Sequence, residues 1–154
     1  MRMGRRLPAI CLSVFLLTVC ACSKQTPSDN GRNEKANALY NSGNAYLSNG
    51  EFDKAIADYT AALEIMPDYI DALYNRGCAY YRKSYFDAAT VDFTTAQRIL
   101  PNCYEVFNNS GVVEYYYKGD IDSAIADWEA VLRINPNDAN TKENMELARQ
   151  YRGY

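Results

Sequence analysis

One phrase of this chain is spelled twice: LYNSGNAY at Leu39–Tyr46 returns as LYNRGCAY at Leu73–Tyr80, 34 residues later. A fixed period of that length is the mark of an array built by stacking similar units, and it overrides most other readings of a chain of 154 residues. Aligning Gly43, Gly77 and Gly111 exposes a third, more diverged copy. Leu39, Leu73 and Phe107 lie four before each glycine, while Ala55 and Ala89 lie 12 after it and Ala124 lies 13 after. Tyr59, Phe93 and Trp128 share a position, as do Ala62, Ala96 and Val131, and Pro67, Pro101 and Pro136 close the units.

Within a unit the apolar residues recur at three and four, as in Leu39, Gly43, Tyr46 and in Ala55, Tyr59, Ala62, Leu63, which is the helical period. Two amphipathic helices per unit follow. The segments SNGEF, KSYF and KGDI break the first helix from the second, and each proline ends the second because its ring cannot continue a helix. Glycine in a helix costs about 1 kcal/mol relative to alanine, so its recurrence demands a packing reason: small residues where helices approach, with a large aromatic filling the space. One such unit cannot bury its apolar face alone, and repetition builds the core by stacking. Residues 138–151, DANTKENMELARQY, read as a capping helix with Ala139, Met145, Leu147 and Ala148 inward.

These positions resemble the tetratricopeptide repeat, a 34-residue helix-turn-helix unit, over Ala36–Asp138. The resemblance implies an all-α fold: a right-handed solenoid of three units plus a cap, seven helices in all. The corresponding organisation is a leader over 1–21, a flexible linker over 22–35, units over 36–69, 70–103 and 104–138, and a cap and tail over 139–154. Two features depart from the family pattern. Ser42, Arg76 and Ser110 stand just before the glycines, where the family usually has leucine, which implies looser packing. The extra residue of the third unit falls within VVEYYYKG, where it lengthens the turn or forms a π-bulge.

The amino terminus carries its own signal. MRMGRR precedes the uncharged, mostly apolar LPAICLSVFLLTV and then VCACS, the layout of an export leader; the apolar run is short for a membrane span, which needs about 20 residues. Val19-Cys20-Ala21-Cys22 resembles a bacterial lipobox, which implies lipid attachment at Cys22 and cleavage ahead of it. Cys20 is the second choice, since it would put Val19 where the pattern has a small residue. The resemblance implies a lipid-anchored exported protein, and Ser23, not Asp, after the acceptor favours the outer membrane facing the periplasm.

Composition removes several functions. The chain has no histidine, the usual near-neutral acid or base and the commonest metal ligand. A net charge of −3 lacks the basic stripe of a nucleic-acid binder. The acids Asp53 and Asp58, Asp87 and Asp92, and Asp122 and Asp127 recur in register. The first of each pair lies in the first turn of a second helix, where negative charge suits the dipole, and the second is expected on a solvated face. They are dispersed along the array, so no enzyme, metal or cofactor is expected. Cys78 and Cys103 are a conceivable disulfide in an exported protein, but the first falls mid-helix and the second in a turn, which favours two unpaired thiols.

In this family, function resides on the concave face lined by first helices. By register that face carries Asn37, Tyr40, Asn44 and Leu47, then Asp71, Tyr74, Asn75, Cys78, Tyr81 and Arg82, then Glu105, Asn108, Asn109 and Val112. Tyr40, Asn44, Tyr74, Asn75, Tyr81, Arg82, Asn108 and Asn109 form the candidate peptide groove, because tyrosine offers contact area at small entropy cost and asparagine pairs with backbone groups. Relatives that clamp heat-shock chaperone tails use two asparagines and three basic residues. Asn44 and Asn75 match the asparagines, but Tyr40, Glu105 and Asn109 replace the cations, so that partner is not expected. The implied function is an adaptor for another envelope protein. The alternative is a small-ligand or transport accessory protein using the aromatic groove as a pocket.

Overall fold

The computed structural model describes residues 30–152; the leader, Cys20 and Cys22 lie outside the described residues. Seven helices run through them: α1 (Asn30–Ser48), α2 (Phe52–Ile65), α3 (Ile70–Arg82), α4 (Phe86–Ile99), α5 (Tyr104–Val113), α6 (Ile121–Ile134) and α7 (Ala139–Arg152), with α5 continuing into a π-helical turn over Glu114–Lys118. Each first helix packs on its own second helix and each second helix on the next unit. This is the expected all-α repeat solenoid. No described helix is long and apolar enough to cross a membrane.

Helix α1 starts inside the stretch expected to be linker, so the last residues of 22–35 are helical. Asn30–Lys35 contains no apolar residue, and an apolar period cannot register a polar first turn. Ala36, fully buried, is where that helix first meets the core.

The glycines have the packing reason their cost demanded. A β-carbon on Gly43 would lie 2.7 Å from Tyr59 Cε1, one on Gly77 2.7 Å from Phe93 Cε1, and one on Gly111 2.6 Å from Trp128 Nε1. In every unit the aromatic of the second helix lies against the bare backbone of the first, and Tyr59, Phe93 and Trp128 are all 1% exposed or less. A buried seam runs from Ala36 to Val113 through the first two units. A second cluster joins Val112, Tyr115, Ile125 and Trp128 to Met145 and Ala148 of the cap.

The three turns between the first and second helix of each unit share one device. Gly50, Ser84 and Gly119 adopt left-handed φ of 76°, 64° and 73°, and the residue after each donates its N–H back across the helix end, as in a Schellman closure. Glu51 N reaches Tyr46 O and Tyr85 N reaches Tyr80 O, five residues back, whereas Asp120 N reaches Glu114 O, six back. The surplus residue of the third unit therefore sits inside that closure, and the π turn is how the helix absorbs it.

Three expectations change. Asp92 is not on a solvated face: it is 3% exposed, because Arg76, where the family has leucine, reaches across to neutralise it. Position 76 is thus occupied by an ion pair instead of being loosely packed. No bridge joins Cys78 to Cys103: Cys78 takes part in no disulfide, whereas Cys103 is disulfide-bonded and is therefore not the second unpaired thiol expected from the sequence. In α7, Ala139 is exposed and Leu147 only half-buried; the inward face is Thr141, Asn144, Met145 and Ala148, a helical stripe that two polar residues hide from a reading of apolar letters.

Candidate peptide-binding face

Helices α1, α3 and α5 lie side by side, and a relay of amides and phenols ties them. Asn75 Nδ2 donates to Asn44 Oδ1 at 2.9 Å and to Tyr40 Oη at 3.2 Å, and Tyr59 Oη donates to the same Asn44 Oδ1 at 2.7 Å. One unit later, Asn109 Nδ2 donates to Tyr74 Oη at 2.9 Å and approaches Cys78 Sγ at 3.8 Å. Each rung joins a tyrosine to an asparagine 35 residues on. Tyr69 Oη adds a bond to Asn37 Oδ1 at 2.9 Å. Burial pushes the Tyr40, Tyr59 and Tyr69 phenols above their ordinary value, so they act as neutral hydrogen-bonding groups.

The ladder stops at the third unit. Asn108 holds the place of Tyr40 and Tyr74, and Asn144 of the cap holds the place of Asn75 and Asn109. Asparagine is shorter than tyrosine by a ring, and Asn108 Oδ1 and Asn144 Nδ2 are both buried without a hydrogen bond.

The candidate residues thus divide. Tyr40 and Tyr74 are 9% and 6% exposed; their rings pack against Tyr69 and Phe93, which makes them inter-helix packing with a polar tip. Asn109 is buried. Asn44, Asn75, Tyr81 and Asn108 are half-buried and Arg82 is exposed, its guanidinium 5.1 Å from the Phe52 ring. Asn75 leaves its Oδ1, an acceptor, unbonded among the described residues, while the Asn44 amide bonds Tyr40 as well as Tyr59 and Asn75. No described group of three or more acidic or thiol side chains could hold a metal ion.

Sequence reasoning missed Tyr117. The π turn carries it to Tyr81, with hydroxyls 2.8 Å apart, and onto Phe86, with ring centroids 4.2 Å apart. The thirteen-residue spacing signalled a disturbance there but not which side chain it would deliver. The Tyr–Asn spacing of 35 was legible and would have revealed the ladder.

Comparisons with known proteins agree with this geometry. A family model described as TPR repeat matches residues 43–84. The first TPR of Spaghetti (RPAP3), bound to HSP90 peptide SRMEEVD, is 25% identical and superposes with a TM-score of 0.74 over 79% of this chain and 96% of that one. The fold is that of a tetratricopeptide repeat array. The Arabidopsis OM64 TPR domain, 22% identical, shares it with a TM-score of 0.73 over 79% of this chain and 99% of that one. The second TPR domain of human RPAP3, in complex with HSP70 peptide SGPTIEEVD, is 22% identical with a TM-score of 0.72 over 77% and 98%. No curated protein sequence matches. Tetratricopeptide domains are interaction modules, and nothing in this array points to catalysis.

Proposed function

We propose that this chain is a non-enzymatic adaptor, held by lipid on Cys22 to the periplasmic side of a bacterial outer membrane, that binds an extended segment of another envelope protein along α1, α3 and α5. The observation that carries the reading is the open acceptor edge of Asn75 beside the half-buried amides of Asn44 and Asn108. An extended backbone presents N–H groups at regular intervals, and an acceptor held in place by its neighbours suits them. A protein of the same fold that is bound to a peptide supports an extended segment as the ligand. Chaperone tails themselves fit poorly, because Tyr40, Glu105 and Asn109 supply no cation for a terminal carboxylate.

The reading is tested by photo-crosslinking from detergent-solubilised envelopes, with the reactive group placed at Arg82 or Asn108 and, as a control, at Val91, which is 64% exposed on α4. A protein partner crosslinked from the face and not from Val91 supports the adaptor. Loss of labelling only on adding small solutes would favour the ligand-carrier alternative. The anchor is tested separately: Cys22→Ala should abolish fatty-acid labelling and detergent-phase partitioning, and unchanged partitioning would sink it.

A further inference from the structure

Helix α7 continues the row of α1, α3 and α5, but its inward face is poorly satisfied. Asn144 Nδ2 finds no hydrogen bond at the place from which Asn75 and Asn109 donate to tyrosines. Thr141 Oγ1 finds none either, on a residue only 1% exposed. By register Thr141 stands where α3 has Ala72 and α5 has Val106, both apolar and fully buried. The closed joint therefore keeps two polar groups of α7 out of water without a protein partner, and Asn108 Oδ1, the α5 member of the missing rung, adds a third. Each such group weighs against the closed arrangement.

The other side of α7 is uncovered. Lys142, Glu146 and Arg149 occupy the register places of Leu73, Gly77 and Tyr80 in α3. There Phe93 of α4 lies against Gly77, whereas no helix follows α7 among the described residues. An open hollow of about 550 Å3 remains on that side, lined by Leu132, Met145 and those three charged residues. Arg152 pairs with Asp122 at 2.9 Å and Arg149 with Glu129 at 3.8 Å, tying α7 to α6, but all four side chains are more than half exposed and such pairs contribute little. What holds α7 is chiefly Met145 and Ala148 against Val112, Ile125 and Trp128.

We propose that α7 is a detachable cap, which leaves α6 as a unit while the three repeats stay folded and so uncovers Val112, Ile125 and Trp128 at the end of the array. Local opening of this kind is drawn from the elements with the fewest satisfied contacts. The opened chain presents an apolar strip that the closed one hides, so α7 controls access to that end. This does not depend on the reading of the α1, α3, α5 face. The full chain is followed by native-state hydrogen exchange as urea is raised from zero. The amides of residues 144–148 should exchange about tenfold or more faster than those of residues 128–132 in α6, and with a smaller urea dependence, because the opening exposes less surface than global unfolding. Thr141→Val keeps the shape and removes the unpaired hydroxyl, so it should slow exchange at 144–148 about tenfold. Leu63→Ala, in the distant α2, should speed exchange in the first two units and leave 144–148 unchanged. Exchange at 144–148 that matches α6, that quickens with Leu63→Ala, or that is indifferent to Thr141→Val overturns the proposal.

Discussion

Arg76 grips Asp92 with two parallel bonds, Nε to Oδ2 at 2.8 Å and Nη2 to Oδ1 at 2.7 Å, while its third arm, Nη1, donates to Thr60 Oγ1 at 3.0 Å. One side chain of α3 thereby holds its own partner helix α4 and the preceding helix α2. The first and third units have only Ser42 and Ser110 at that place, so this bidentate tie belongs to the middle of the array.

Removing the cation should cost more than removing the acid. Arg76→Ala leaves the Asp92 carboxylate, whose side chain is 4% exposed, without its counter-charge, and the expected loss is about 3 kcal/mol. Asp92→Ala leaves an arginine 17% exposed whose long stem can carry the charge to water, for a loss of about 2 kcal/mol. Urea denaturation of both variants gives the comparison, and equal or reversed losses would contradict the burial argument.

Gly77→Ala tests the close approach of backbone and ring. The new β-carbon meets Phe93 Cε1 at 2.7 Å, and relieving the clash in a close-packed core costs about 1–3 kcal/mol, more than the ~1 kcal/mol that alanine gains in helix propensity. The same substitution in a Phe93→Leu background should cost less, because a smaller side chain leaves room. A double-mutant cycle by thermal melting reads the difference, and an additive cycle would mean that the two residues do not press on each other.

The period of 34 placed the glycines against the aromatics and located the irregular third unit, because those features repeat and a repeat can be read by superposition. Arg76 and Asp92 were visible as letters but not as a pair: they lie on different helices across a turn, and which face each presents depends on how the two helices pack. Tyr40 and Tyr74 were assigned to the concave face by register, yet a tyrosine spans the whole depth of a helix interface, so the ring fills the core and only the hydroxyl approaches the face. Asn75 kept an open acceptor edge because an amide is short and two-sided. The π turn was legible as a count of residues, whereas the direction in which it sends Tyr117 follows from where Phe86 and Tyr81 wait for it.

Deleting residues 138–154 should unravel more than a tail. Met145 and Ala148 close the cluster formed by Val112, Tyr115, Ile125 and Trp128, and burial of the methionine alone contributes about 1.5–3 kcal/mol within a domain total of about 5–15 kcal/mol. Hydrogen exchange in the truncated protein should rise across α5 and α6 and much less in α1 and α2, since each unit leans mainly on its neighbours. Unaltered protection in α5 and α6 would show that α7 is not a cap.

Asp127 should make the protein more stable in mild acid than at neutral pH. Burial is the largest influence on its carboxyl, and with the nearby Glu114 it outweighs the hydrogen bonds from Ser110 and Gln97, moving the group from an ordinary 3.8 up to about 6. The folded chain therefore holds this proton to higher pH than the unfolded chain does. The associated stability is fully present below the unfolded value and is lost as pH rises through about 6. In Asp127→Asn the side chain keeps an oxygen for Gln97 but cannot ionise, so the variant should exceed the parent by about 2 kcal/mol at pH 7 and lose that advantage near pH 4. Denaturant titrations at the two pH values decide it, and a difference between variant and parent that does not change from pH 4 to pH 7 would show that the Asp127 carboxyl carries no such burden.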